Sequence, residues 1–139
     1  MTIHDEMIFL RKVPPFAELS PAKLELLALM SERIRYAAGE TILQQGDTGD
    51  AAFVLMEGVI DISIAAGGVS RQVRELQRHA LFGEIAVIRN TGRAATVKAR
   101  TDVDVLKISK DVLNKMIEDL PDLGKRIAMH IEKSGYTFQ

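Results

Sequence analysis

The chain of 139 residues is 47% hydrophobic and 27% charged, as expected for one globular domain with its own core. Its 18 Lys and Arg against 19 Asp and Glu leave a net charge of -1, so no basic excess favours nucleic acid or a membrane surface. The lack of cysteine excludes disulfides, thiolate nucleophiles and cysteine-based metal centres. With no signal-like start and no bilayer-length apolar run, we expect a cytoplasmic protein.

Residues 1–32 are predicted to form a helical head. Residues 4–12 favour a short helix that ends before Pro14, because a proline disfavours helical geometry in the residue before it. A second helix is predicted to start at Ser20, a good N-cap, with Pro21 in its first position. Its apolar stripe consists of Leu24, Leu27 and Ala28.

Residues 33–108 change to short β-prone runs separated by glycines. The runs read RIRYA, ETILQQ, AFVLME, VIDISIA, SRQVREL, ATVKAR and DVLKI. VIDIS alternates apolar and polar residues, as a half-buried strand does, and Gly67-Gly68 is typical of a hairpin turn. We therefore expect a mainly β fold with flanking helices, a β-roll or jelly-roll barrel of about eight strands, whose interior offers a pocket.

Residues 109–135 are predicted to form a pair of C-terminal helices, so that residues 1–139 make one domain. Ser109 is the expected cap of the first helix, and Pro121 the expected start of the second. The stripe of the second helix consists of Leu123, Ile127, Ala128 and Ile131. At about 14 residues this helix is too short to be stable alone, so it must pack against the barrel or another chain.

The candidate binding segment spans residues 82–97 and reads FGEIAVIRNTGRAATV. Gly83 lets the backbone approach a ligand, and the short helical turn after it presents amides without internal partners. Arg93 supplies a fork of donors that fits phosphate oxygens, and ionised Glu84 accepts hydrogen bonds from a sugar hydroxyl. The two small alanines after the arginine leave room for such a ligand. The segment therefore suits a small anion that carries a vicinal hydroxyl group.

This segment resembles the phosphate-binding cassette of cyclic nucleotide-binding domains, which occur in kinase regulatory subunits, gated channels and bacterial transcription regulators. The upstream glycines also resemble the pattern of that family's β-roll: Gly39, Gly46, Gly49 followed by Asp50, and Gly58. The resemblance covers roughly residues 10–135. It implies a regulatory module that binds cAMP or cGMP as a ligand and has no resident cofactor.

The resemblance assigns roles to individual residues. The ribose site would consist of Glu84 and Gly83, and the phosphate site of Arg93, Ala94, Ala95, Ile85 and Ala86. In the family, Thr or Ser directly after the arginine accompanies a preference for cGMP. Because Ala94 stands there, we expect cAMP to be preferred.

The base and the lid are assigned by the same resemblance. The residues expected to face the base are Leu76, Arg74, Phe82 and Tyr136. The family's lid comes from the final helix or from the residues after it, where the candidates are Ile131, Tyr136 and Phe138. The chain departs from the family at Gly92, where a proline often precedes the arginine, so we expect a looser loop before ligand binds.

Three alternatives stay open at this point. In the first, Glu84 and Arg93 form only a structural ion pair across a loop. In the second, the β-roll is an interaction or dimerisation domain that binds no nucleotide. In the third, the chain is the ligand-binding fragment of a larger regulator, channel or kinase subunit.

Catalysis is not expected. His4, His79 and His130 show no metal-site spacing, and no GxxxxGK[ST] phosphate loop occurs in the sequence. We therefore predict no enzyme and no metal site. The expected partners are a cyclic nucleotide and an effector protein of unknown identity, without nucleic acid or membrane, and the expected state is a monomer or weak homodimer.

Overall fold

The computed structural model describes residues 2–134, with side chains up to residue 130. The strands are β1 (Glu32–Tyr36), β2 (Thr41–Leu43), β3 (Ala51–Glu57), β4 (Ile60–Ala66), β5 (Val69–Leu76), β6 (Leu81–Phe82), β7 (Thr96–Ala99) and β8 (Val103–Ser109). The helices are α1 (Ile3–Arg11), α2 (Pro21–Met30), α3 (Glu84–Ile88), α4 (Lys110–Asp119) and α5 (Pro121–Ser134), with a 3₁₀ turn at Pro14–Phe16. The prediction of a mainly β fold of about eight strands with flanking helices is confirmed.

Two antiparallel four-stranded sheets form the β-roll, in the orders β1-β8-β3-β6 and β2-β7-β4-β5. In the first sheet, Glu32 on β1 lies opposite Lys107 on β8. The six residues of β3 from Ala51 to Met56 are all buried, because both faces of this strand are covered. The first sheet therefore carries much of the hydrophobic core.

The second sheet confirms the predicted alternation and turn. Ile60 and Ile62 are buried while Asp61 and Ser63 are partly exposed, as a half-buried strand requires. Both Gly67 and Gly68 have positive φ, at 60° and 80°, in the hairpin between β4 and β5. The seven predicted strand runs all occur, and the eighth strand is the two-residue β6, which is too short to show a period.

The predicted helix starts are also confirmed. The Ser20 side chain accepts a hydrogen bond from the backbone N–H of Lys23, and the Ser109 side chain accepts one from Val112. Pro21 and Pro121 are the first residues of α2 and α5. Each cap satisfies a backbone donor that the helix itself leaves unpaired.

The helical head and tail pack against each other beside the β-roll. Leu123 and Ile127 on α5 are fully buried, and so is Phe16 in the 3₁₀ turn that α5 contacts. Arg126 on α5 adds an ion pair with Glu18 at 2.7 Å. No helix within the described residues is long and apolar enough to cross a membrane.

Candidate functional site

A cavity of about 320 Å³ lies between the segment of residues 82–97 and the second sheet. Its volume falls in the range of small-molecule sites. Its walls are mostly apolar, with a few polar side chains among them. The lining residues are Leu43, Ile62, Phe82, Gly83, Glu84, Ile85, Ala86, Arg89, Thr91, Gly92, Arg93, Ala94, Ala95 and Val97.

Gly83 starts the five-residue helix α3 from a left-handed conformation, with φ 79°. A Cβ atom at this position would lie 2.9 Å from Nη1 of Arg93. Glycine is thus required twice, once for the positive φ and once for the close approach of the arginine. The turn aims the next side chain, Glu84, into the interior.

Glu84 is a buried carboxyl group with an unsatisfied oxygen. The residue is 1% exposed, and its Oε2 has no hydrogen-bond partner in the described part of the chain. Burial raises the pKa of Glu84 to about 7, although the backbone N–H of Glu84 and the charge of Arg93 act in the opposite direction. An orphaned buried acceptor costs about 1–3 kcal/mol, so this oxygen is poised to accept a hydrogen bond from a ligand.

Arg93 is a buried cation held mainly by backbone carbonyls. Its Nη1 donates to the carbonyl of Gly83 at 2.6 Å, and its Nη2 donates to the carbonyl of Ala51 at 2.7 Å. Its ion-pair partner is the exposed carboxylate of Asp50 at 3.8 Å, not Glu84. The geometry therefore argues against a structural Glu84–Arg93 ion pair. Burial lowers the pKa of Arg93, but a guanidinium so held stays charged and keeps further N–H donors for an anion.

The loop between β2 and β3 fixes the arginine and α3 in position. The N–H of Arg93 donates to the carbonyl of Asp47 at 2.7 Å, and the carbonyl of Arg93 accepts from Gly46 at 2.8 Å. Gly49 lies so close to α3 that a Cβ there would be 2.5 Å from the Cβ of Ala86. These contacts hold both ends of the loop that contains Gly92, the position at which we expected a looser chain.

The family model for the cyclic nucleotide-binding domain matches residues 33–119, which include the cavity and its polar residues. The chain belongs to this family.

Relatives of known activity contain this domain within longer proteins. The chain is 35% identical to a cAMP-dependent protein kinase regulatory subunit of Aspergillus niger, over 85% of this chain and 28% of that protein. It is 33% identical to a cGMP-dependent protein kinase of Caenorhabditis briggsae, over 90% of this chain and 17% of that protein. The chain thus spans less than a third of the length of these curated relatives.

A solved structure shows the same architecture. The regulatory domain of Toxoplasma gondii PKA, crystallised with cAMP, superposes with a TM-score of 0.83 at 25% identity, over 91% of this chain and 48% of that one. The chain is accordingly a cyclic nucleotide-binding domain of the regulatory type, similar to those of protein kinases.

Most residues proposed for the nucleotide site of this domain lie together. The ribose and phosphate candidates all border the cavity, as does Phe82 among the base-facing candidates. Leu76 lies instead in the hydrophobic core opposite Ile60, and Arg74 lies opposite Ile62 without bordering the cavity. Tyr136 and Phe138 lie outside the described residues, and the side chain of Ile131 is not described either.

Sequence reasoning missed several residues of the cavity. Leu43, Ile62 and Val97 form an apolar wall from three strands of the second sheet, and Arg89 and Thr91 add polar groups near Arg93. The alternation of VIDIS predicts that Ile62 faces the interior, but nothing in the nearby sequence distinguishes the hydrophobic core from the cavity. Arg89 did carry a signal, since it is a cation inside the cassette.

Proposed function

We propose that this cyclic nucleotide-binding domain is a cAMP sensor in which Glu84 accepts a hydrogen bond from the ribose 2′-hydroxyl and Arg93 binds the cyclic phosphate. The observation that supports this most directly is the pair of buried charged groups in one cavity, an unpartnered carboxyl oxygen beside a carbonyl-held guanidinium. A ligand with one anionic group and one neighbouring hydroxyl complements both. The amides of Gly83, Ile85, Ala86 and Ala94 complete the proposed cradle.

The preference for cAMP over cGMP rests on Ala94. This exposed residue borders the cavity directly after Arg93, where a hydroxyl-bearing side chain would offer a hydrogen bond to a guanine. The relatives include a cAMP-dependent protein kinase regulatory subunit and a cGMP-dependent protein kinase, so their similarity does not favour either nucleotide. The proposal therefore depends on this one side chain.

The proposed output is a movement of the C-terminal helices. Lys110, the first residue of α4, donates from Nζ to the side-chain oxygen of Asn90 at 2.8 Å and from its backbone N–H to the backbone carbonyl of Asp50 at 2.9 Å. Asp50 is the ion-pair partner of Arg93, and Asn90 lies in the segment that leads from α3 to Arg93. Burial and, less strongly, the charge of Arg74 on β5 lower the pKa of His130 on α5. A ligand shifts such helices only by as much as it binds one arrangement better than the other.

Binding without catalysis is the proposed activity. Among the described side chains, those of residues 2–130, no group of three or more histidine or acidic residues is placed to hold a metal ion, and the three histidines lie on α1, after β5 and on α5. The effector protein, the monomer or weak homodimer, the lack of nucleic-acid binding and the cytoplasmic location stay predictions.

Titration calorimetry with cAMP and cGMP side by side tests the proposal, with uncyclised 5′-AMP as the control ligand. We expect one site, tighter binding of cAMP than of cGMP, and weak or no binding of 5′-AMP. A thermal-shift measurement should agree, because a ligand at 100 times its Kd stabilises by about 2.7 kcal/mol. If neither cyclic nucleotide binds at millimolar concentration, the domain is an interaction module instead.

A further inference from the structure

Arg89 is a cavity residue to which the resemblance gives no role. It ends the cassette helix α3, where its backbone N–H donates to the carbonyl of Ile85 at 2.9 Å and so fixes the start of the side chain. The side chain is exposed and borders the same cavity as Glu84 and Arg93. Among residues 2–130, whose side chains are described, its guanidinium makes no hydrogen bond or ion pair.

The charge balance around Arg93 makes a second cation useful. Two of the donors of Arg93 are already used by backbone carbonyls. The carboxyl groups of Asp50, Glu84 and Asp47 all lie near enough to act on its charge. An anionic ligand placed beside Arg93 therefore meets one buried cation and as many as three carboxylates, whose repulsion reduces the attraction.

We infer that Arg89 is a second cationic contact for the anionic group of the ligand, at the mouth of the cavity. This inference rests on the proposed function, since it concerns the same ligand. Arg89 balances the carboxylates of the neighbouring loop, steers the anion toward Arg93 and slows its escape. Because Arg89 is exposed, its contribution is screened by salt, in contrast to that of buried Arg93.

A purely structural role for Arg89 predicts a different result. A cation at the end of a helix stabilises that helix through its dipole, and removing it would lower the stability of the ligand-free protein. Such a role gives no reason for the effect on nucleotide binding to shrink as salt rises. Salt dependence of binding, measured beside the stability of the ligand-free protein, therefore separates the two roles.

The test compares Arg89→Gln with Arg89→Lys, which keeps the charge, and with Arg11→Gln, a matched change of an exposed arginine on α1 outside the cavity. Binding of cAMP is measured by calorimetry, and association of a fluorescent cAMP analogue by stopped flow, at low salt and at about 0.5 M salt. We expect Arg89→Gln to weaken cAMP binding about two- to fivefold at low salt, mainly through slower association, and much less at high salt. Arg89→Lys should retain most of the affinity, and Arg11→Gln all of it.

The outcomes separate this inference from the proposed function. If the wild-type protein binds cAMP and Arg89→Gln binds it equally well at low salt, Arg89 is not a ligand contact and the proposed function stands. The inference is equally wrong if Arg11→Gln causes the same loss, or if the loss with Arg89→Gln is the same at both salt concentrations. A wild-type protein that binds no cyclic nucleotide overturns both.

Discussion

The helical end and the cavity end of the molecule differ in how much charge they bury. Around the 3₁₀ turn, fully buried apolar side chains fill the space: Phe16, Leu24, Leu27, Leu123 and Ile127. Three charged side chains are buried in the described residues: Glu84 and Arg93, 1% and 6% exposed, line the cavity, and Glu6 on α1, 9% exposed, is the one at the helical end. Burying charged and unsatisfied polar groups costs stability, so the cavity end retains groups that a merely stable fold would replace.

The first way to sharpen this comparison is to remove Phe16 from the helical end. Phe16→Ala should lower the free energy of unfolding by about 3–5 kcal/mol, because a large cavity replaces a fully buried ring. Chemical denaturation measures the loss, and Phe16→Leu should lose less. The folded fraction should still bind cAMP with near wild-type Kd. If the free energy of cAMP binding changed as much as the free energy of unfolding, the helical end would contribute to ligand binding as well as to stability.

The second change is made at the cavity end. Arg93→Leu should weaken cAMP binding by about 2–4 kcal/mol, the range for removing one partner of a desolvated charge pair. Circular dichroism should show a retained fold, and calorimetry measures the affinity. Arg93→Lys serves as the control, since it keeps the charge but not the fork, and should lose less. An affinity unchanged in Arg93→Leu contradicts the assignment of the phosphate site.

Glu84 provides a test through pH. Burial raises its pKa from 4.5 to about 7 in the folded ligand-free protein, so the folded state holds the proton more tightly than the unfolded state. The stability attached to this group is therefore fully present below about pH 4.5, decreases as the pH rises to about 7, and is constant above that. Glu84→Gln has no such group.

Between pH 5 and pH 8 the wild-type protein should therefore lose up to about 3 kcal/mol of unfolding free energy relative to Glu84→Gln. Denaturation series at several pH values measure it, with ligand absent. The same variant should bind cAMP more weakly at pH 8, since an amide accepts the ribose hydroxyl less strongly than a carboxylate. Parallel pH profiles of the two proteins would contradict the buried, proton-holding state of Glu84.

The smallest expected effect concerns the choice of base. Ala94→Thr should narrow the preference for cAMP over cGMP by about fivefold, because the added hydroxyl offers cGMP a hydrogen bond. Ala94→Val has the same shape without the hydroxyl and is the matched control. Competition binding gives the ratio directly. An equal shift in both variants would mean that size, not hydrogen bonding, governs the position.

The cassette was predictable because its information is local. Gly83, Glu84 and Arg93 lie within eleven consecutive residues, and the conformation of Gly83 results from a short turn that a sequence pattern can show. The caps at Ser20 and Ser109 were predictable for the same reason, since each acts on a backbone group three residues away. Local chemistry of this kind needs no knowledge of the fold.

The cavity wall could not be predicted in the same way. Leu43, Ile62 and Val97 meet only because β7 pairs with both β2 and β4, and nothing near each residue encodes that pairing. Leu76 illustrates the difficulty. Its strand was identified, but the register of β5 on β4 places it opposite buried Ile60 and within the core. The carbonyls that hold Arg93 were likewise unpredictable, because one of them comes from distant Ala51.

The pairing of β1 with β8 determines when during folding the cavity can exist. Glu32 and Lys107 face each other across the first sheet although 75 positions (107 minus 32) separate them. Domains dominated by such distant pairings fold in milliseconds to seconds, because a long loop must close before its contacts stabilise it. The residues that surround the cavity lie inside that loop, so a newly synthesised chain acquires its ligand site late. Added cyclic nucleotide should therefore lower the unfolding rate more than it raises the refolding rate.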